Sequence, residues 1–249
     1  MRWELGGEAM RMRIAGLDVE LHDVEDVLAE LQAIYREFDA RTDAYSRVPS
    51  NPHLCFAGCS HCCREGAFFA VTLVEALRWA LAVANLPEPL ATRVRAETDR
   101  LLAMQRQMFT RIAPGPFLQP AADAQESLAR LADRPGDRDE ESFSKRVATV
   151  ATTGVACPLL EDDRCSVYAN RPFLCRAYGF PVDAYAVESA TSFTFRSLCR
   201  LYKTITLQDY VVARDLRQRL DQLSVRLAGG ANLGRFTSAE AILAEVLGA

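Results

Sequence analysis

The sequence has no apolar run long enough to cross a bilayer. Its most apolar stretch, Trp79 to Ala84 (WALAVA), falls far short of the roughly 20 residues a helical span needs. The opening segment, MRWELGGEAMRMRIAGLDVEL, is charged throughout and lacks the apolar core of a secretory signal. An excess of positive charge is also missing. Lys and Arg total 29 against 33 Asp and Glu, which argues against a polyanion-binding surface. No phosphate-cradling glycine loop, nucleophile elbow or His-Glu-x-x-His element occurs, so conventional nucleotide or hydrolase chemistry has no carrier. Eight cysteines in 249 residues is too sparse for a disulfide scaffold. These absences predict a soluble, cytoplasmic protein with neither a membrane nor a nucleic acid among its partners. In a reducing compartment its cysteines are metal ligands or catalytic groups rather than bridges.

What is present suits one core. The composition is 49% hydrophobic, and the patterning is mostly helical with little strand. Val24, Val27, Leu28, Leu31, Ile34, Tyr35 and Phe38 share one face of a helix expected from Asp23 to Arg47, with Asp23 as N-cap and Pro49 beyond its end. Thr72-Leu-Val-Glu75 is a capping-box pattern opening a helix to about Asn85. Pro87 and Pro89 separate it from another, about Leu90 to Ile112. Pro114-Gly-Pro116 and Pro135-Gly136 mark a loop-rich connection from Ala113 to Glu141, with one short helix near Gln125 to Ala132. Two extended pieces are expected around the Glu161-Asp-Asp-Arg164 turn. A long helix follows from about Leu207 to Leu227, ending at Gly229-Gly230, and Thr237-Ser-Ala-Glu240 caps a last short one. The expected class is mainly α. A single helical domain, 1–249, has a loop-rich, cysteine-ligated metal core and a few short strands. Its parts are an N-terminal helix (20–48), cysteine regions (55–63 and 155–199), a helical segment with a Pro/Gly-rich loop (64–146) and C-terminal helices (207–248).

The cysteines fall in two blocks. The first is Cys55-x3-Cys59-x2-Cys62-Cys63 and the second is Cys157-x7-Cys165-x9-Cys175-x23-Cys199, with none in the 93 residues between. Cysteines used as small core hydrophobes would scatter over helical faces. Four thiols within nine residues, in a loop with Gly58, can bend toward one point. Thiolates are soft ligands that select zinc, copper(I) or iron–sulfur clusters. Neighbouring side chains diverge, so Cys62 and Cys63 do not chelate one tetrahedral ion together. One of them serves a second metal or the other iron of a cluster, or is a spare redox-active thiol. Eight cysteines fit two four-cysteine sites, or one cluster with unligated thiols besides. His61, inside the first block, fits a Cys3His site, but thiols suffice and it reads as a loop histidine, like His53. His22 is unrelated. Arg164, Arg171, Arg176, Arg196 and Arg200 lie near cysteines in sequence and offset a thiolate centre's negative charge. Arg171 and Arg176 bracket Cys175 and are the cofactor-binding candidates.

The first block, followed by Cys157-Pro-Leu-Leu, Cys165-Ser-Val-Tyr and Arg171-Pro-x-x-Cys175-Arg-x-Tyr178, resembles the YkgJ-like cysteine-cluster family over about Cys55 to Cys199. That family is described as a zinc- or iron-chelating domain, so the resemblance implies metal or cluster binding by all eight cysteines. Some relatives are linked to protein lysine methylation.

The leading reading is an iron–sulfur cluster, of [4Fe-4S] type, in electron transfer or protein modification, with a redox partner or protein substrate. Zinc or iron ions are the alternative, as in a structural zinc-binding domain. A cluster-dependent methyltransferase is a further one. Cys55-x3-Cys59-x2-Cys62 has the spacing of radical S-adenosylmethionine enzymes. Against it, the chain runs helix after helix instead of alternating with strands, and Gly6-Gly7-Glu8 precedes the cysteines. A redox sensor cycling Cys62 and Cys63 ranks last, because adjacent cysteines form only a strained ring disulfide.

Overall fold

A computed structural model describes residues 10–51, 58–64, 70–112, 154–182 and 210–248. Helices predominate among them, joined by short antiparallel strand pairs. The expected short helix near Gln125 to Ala132 and its surrounding loop lie outside the described residues.

The first element is one that the helical patterning does not anticipate. Strands β1 (Arg11–Ile14) and β2 (Leu17–Glu20) form a hairpin, Met12 facing Val19 and Ile14 facing Leu17. Ala15 (φ 53°) and Gly16 (φ 80°) make its two-residue turn, the left-handed pair that matches strand twist. Met12, Ile14, Leu17 and Val19 point into the core while Arg11, Arg13, Asp18 and Glu20 face solvent, the period-2 alternation of a half-buried sheet. Far along the chain β7 (Glu245–Leu247) adds to the other edge of β1.

Helix α1 (Val24–Ser46) buries Val27, Leu31, Ile34, Tyr35, Phe38 and Tyr45. Asp23 precedes it but does not cap it through its side chain. Its backbone is left-handed (φ 51°), whereas a capping side chain reaches the first turn from an extended backbone. After the one-turn helix α2 (His61–Arg64) and strand β3 (Ala70–Val71) comes α3 (Leu73–Ala84), apolar on most of its circumference. It packs against α1 and against two helices from the end of the chain. The capping box expected at its start is formed: the Thr72 side chain accepts from the Glu75 amide, and the Glu75 side chain accepts from the Thr72 amide. Helix α4 (Glu88–Ile112) follows.

The second cysteine region supplies the hairpin β4 (Leu160–Glu161) and β5 (Arg164–Cys165), turning at Asp162-Asp163 where expected. A 3-10 turn (Tyr168–Asn170) and the short helix α5 (Phe173–Ala177) come next. Helix α6 (Arg214–Leu227) lies across α1 and α3. Its start is later than the expected Leu207, a position outside the described residues. Residues 210–213 are not helical. The Val211 amide donates to the Pro181 carbonyl at 2.8 Å, and Val211 bridges Val182 in parallel, which holds the chain extended. The end falls where Gly229-Gly230 puts it. Gly230 donates to Val225 and Gly229 to Arg226, the paired bonds of a Schellman motif.

Strand β6 (Phe236–Thr237) pairs with β3 and runs straight into α7 (Ser238–Ile242), whose capping box at Thr237 and Glu240 is also formed. The largest fully buried side chains include Tyr35, Phe38, Phe173 and Phe236. The rings of Phe38 and Phe173 stand 4.6 Å apart, so α5 is fastened directly to α1.

Candidate metal centre

The two cysteine blocks meet. The Cys157 amide donates to the Cys63 carbonyl at 2.7 Å, joining residues that 93 others separate. A second tie lies outside the thiols. The Asp163 carboxylate accepts from Ser60 Oγ at 2.7 Å and from Arg64 Nε at 2.7 Å, with a further contact to the other end of the Arg64 guanidinium. The turn of the β4–β5 hairpin thus grips α2 at both ends. Asp163 sits at φ 63°, a backbone that short acidic residues tolerate better than most. The Ser60 hydroxyl and the Arg64 guanidinium hold its carboxyl below the usual carboxylate range.

Cys62 and Cys63 lie on α2, Cys157 just before β4, Cys165 in β5 and Cys175 in α5. Cys157, Cys165 and Cys175 pack as half-buried groups on the edge of the hydrophobic core. Cys59, Cys62, Cys63, Cys157, Cys165 and Cys175 are all free thiols. Four of them act on one another electrostatically. Cys175 feels Cys157, Cys62 and Cys165. Cys157 feels Cys165 and Cys62, and Cys165 feels Cys62. Burial is the first cause that pushes Cys157 up to about 12, and it raises Cys165 and Cys175 as well. Cys62 is raised chiefly by its hydrogen bond with Cys63. Each thiol therefore resists ionising beside the others, because a thiolate there lacks water and meets like charge. Among the described residues, no three His, Cys, Asp or Glu side chains hold their donor atoms close enough to grip one ion. The two blocks are joined, but their thiols are not closed on a point.

The two arginine candidates separate. Arg171 lies half-buried over the Tyr168 ring, 3.6 Å from its centroid, and its charge lowers the pKa of Cys165 and Cys175. Arg176 is directed elsewhere. Its guanidinium grips both Asp39 carboxylate oxygens at 3.0 and 2.7 Å, donates to the carbonyls of Arg171 and Ala169 at 2.8 Å each, and lies over the Tyr35 ring. Those bonds tie α5 to α1 and to the 3-10 turn. His61 opens α2 and is half-buried. His22 packs against Gly229 at the end of α6. Cys55, Cys199, His53, Arg196 and Arg200 lie outside the described residues.

Beneath the thiols runs a buried polar network that spacing does not disclose. Glu75 Oε2 accepts from the Thr72 amide and hydroxyl at 2.9 Å each. Its Oε1 accepts from the Phe173 amide at 2.6 Å and from the Tyr35 hydroxyl at 3.4 Å. Burial first, then the Glu75 charge, raises the Tyr35 phenol well above its usual range. Beside it Arg78 donates to Asn170 at 2.7 Å and to Gln32 at 3.0 Å. Only the Thr72–Glu75 half of this network leaves a sequence signal, since its partners are three residues apart.

No family model, no curated protein and no solved structure matches this chain.

Proposed function

We propose that the chain is a soft-metal protein with a centre built on Cys62, Cys157, Cys165 and Cys175. An iron–sulfur cluster is the first occupant and a zinc or iron ion the alternative. The observation that supports the reading is that the two blocks meet at the Cys157 amide and the Cys63 carbonyl, with Cys62, Cys157, Cys165 and Cys175 as free thiols that sense one another's charge. A half-buried set of four sulfurs is unfavourable as thiolates alone and favourable around a cation. The donor chemistry fits a cubane cluster, which takes four cysteines, and equally a four-sulfur zinc site. Arg171 would offset part of the excess negative charge of either.

In this reading Cys59 and Cys63, with Cys55 and Cys199 of the same two sequence blocks, supply ligands to a second metal or further irons. A cluster bound here would serve electron transfer to a protein partner. Lysine methyl transfer is the alternative that the family resemblance brings. Anaerobic purification with quantified iron, acid-labile sulfide and zinc tests the reading. Iron with matching sulfide supports the cluster. Stoichiometric zinc without sulfide selects the structural site. Neither metal, after reconstitution with both, overturns the proposal.

A further inference from the structure

The short helix α5 carries Cys175 at its third residue, and five residues are too few to hold a helix in place alone. What holds it is distant in sequence. Glu75, itself 1% exposed, sends Oε1 to the Phe173 amide at 2.6 Å, the shortest bond it makes. Phe173 is the first residue of α5, where helices leave amide donors without internal partners. The other oxygen of the same carboxylate is occupied by Thr72 at the start of α3. One buried group therefore fastens the beginnings of two helices to each other. The Arg176–Asp39 pair and the Phe38–Phe173 ring contact fix the opposite flank of α5 to α1.

We propose that Glu75 is a positioning residue for the thiol centre. Bonded to the first amide of α5, it sets the direction from which Cys175 faces Cys157 and Cys165. This rests on the reading of the four thiols as one centre. The carboxylate is the group the geometry calls for, because both of its oxygens receive only donors. An amide at this position serves one helix start and turns an N–H toward the other. The expected consequence is specific: α5 loosens while the rest of the fold stays.

The test uses the full-length, metal-free chain in three forms: the parent protein, Glu75→Gln and Val83→Ala. Val83 is a buried residue of α3 outside this network, so its truncation matches a general loss of stability. Two quantities are read by mass spectrometry. One is deuterium uptake of the peptide spanning 173–177, and the other is the alkylation rate of Cys175 relative to Cys165. Glu75→Gln is expected to raise both by about tenfold or more, the scale of losing one buried charged hydrogen bond. Val83→Ala is expected to change neither relative to the rest of the protein. The inference is overturned if either quantity in Glu75→Gln stays at the parent value, or if Val83→Ala moves both equally. Reconstitution of the parent protein with iron and sulfide, and separately with zinc, judges the metal reading on its own. Binding of neither would sink that reading, while the alkylation ratio still decides the role of Glu75.

Discussion

Cys157 shows how far burial can move a single thiol. Its pKa is raised from 9.0 to about 12, mainly by burial. A raised pKa means that the folded chain holds the proton more tightly than the unfolded chain does. The stability this contributes is complete below about pH 9 and is lost as pH climbs toward about 12. The metal-free protein should therefore weaken steeply in that alkaline window, as followed by urea midpoints. Cys157→Ser should flatten the loss. Metal-loaded protein should lack this component, since its ligand thiols have already released their protons. At neutral pH the same Cys157→Ser change should lower metal content and melting temperature together, as should Cys59→Ser and Cys175→Ser. Full metal and an unchanged melting temperature in all three variants would remove the central claim. Gly229 is a second informative residue. A Cβ there would stand 2.8 Å from the His22 ring, on a backbone at φ 62°. Gly229→Ala should cost about 1–3 kcal/mol, and adding His22→Ala should recover the steric part but not the backbone part. Chemical denaturation of the single and double variants separates the two.

At the scale of elements, the helices were legible wherever their signals were local. The capping boxes at Thr72 and Thr237 join residues three apart and appear in the structure as the sequence pattern predicts. The same pattern hid the longer reach of Glu75, because its second partner is 98 residues away. The β1–β2 hairpin carried a signal in Arg-Met-Arg-Ile and Leu-Asp-Val-Glu around Ala15-Gly16, but each strand is only four residues long. The start of α6 moved because Val211 found a partner in Val182, which no local rule contains. Ion pairs fasten α6 to α1: Arg41 with Asp215, Arg219 with Glu37 and Arg226 with Glu30, each at 2.7 Å. Arg219 and Arg41 hold Glu37 down, and Arg41 does the same to Asp215. Depressed carboxylate pKa values stabilise above their unfolded values, about 4, and that contribution is lost as pH falls through the folded ones. These groups are exposed, so the effect is modest and screened by salt. Urea midpoints should drop below pH 4, and Arg41→Met should shrink that drop.

For the molecule as a whole, the division of the cysteines into two blocks was legible because clustering survives in one dimension, and the structure brings the blocks together at Cys63 and Cys157. How they are joined was not legible: the Cys157 amide donates to the Cys63 carbonyl, a backbone bond that no side-chain pattern contains. Nor does any spacing predict the clamp from Asp163 to Ser60 and Arg64, which closes the loop between the blocks from outside. Asp163→Ala should leave the thiols intact yet speed metal loss to a chelator, more so at low salt than at high, where the clamp is already screened. Equal rates for variant and parent at low salt would show that the clamp plays no part in retention.

The pairing of β1 with β7 has a consequence for synthesis. Arg13 lies opposite Glu245, so the central strand of the first sheet waits for a partner made more than 200 residues later. At about 5–20 residues per second, that wait is tens of seconds at the slower rates. Cys62, Cys157, Cys165 and Cys175 all emerge from the ribosome within it. The two cysteine blocks are thus free to meet on a chain whose founding hairpin still has an open edge.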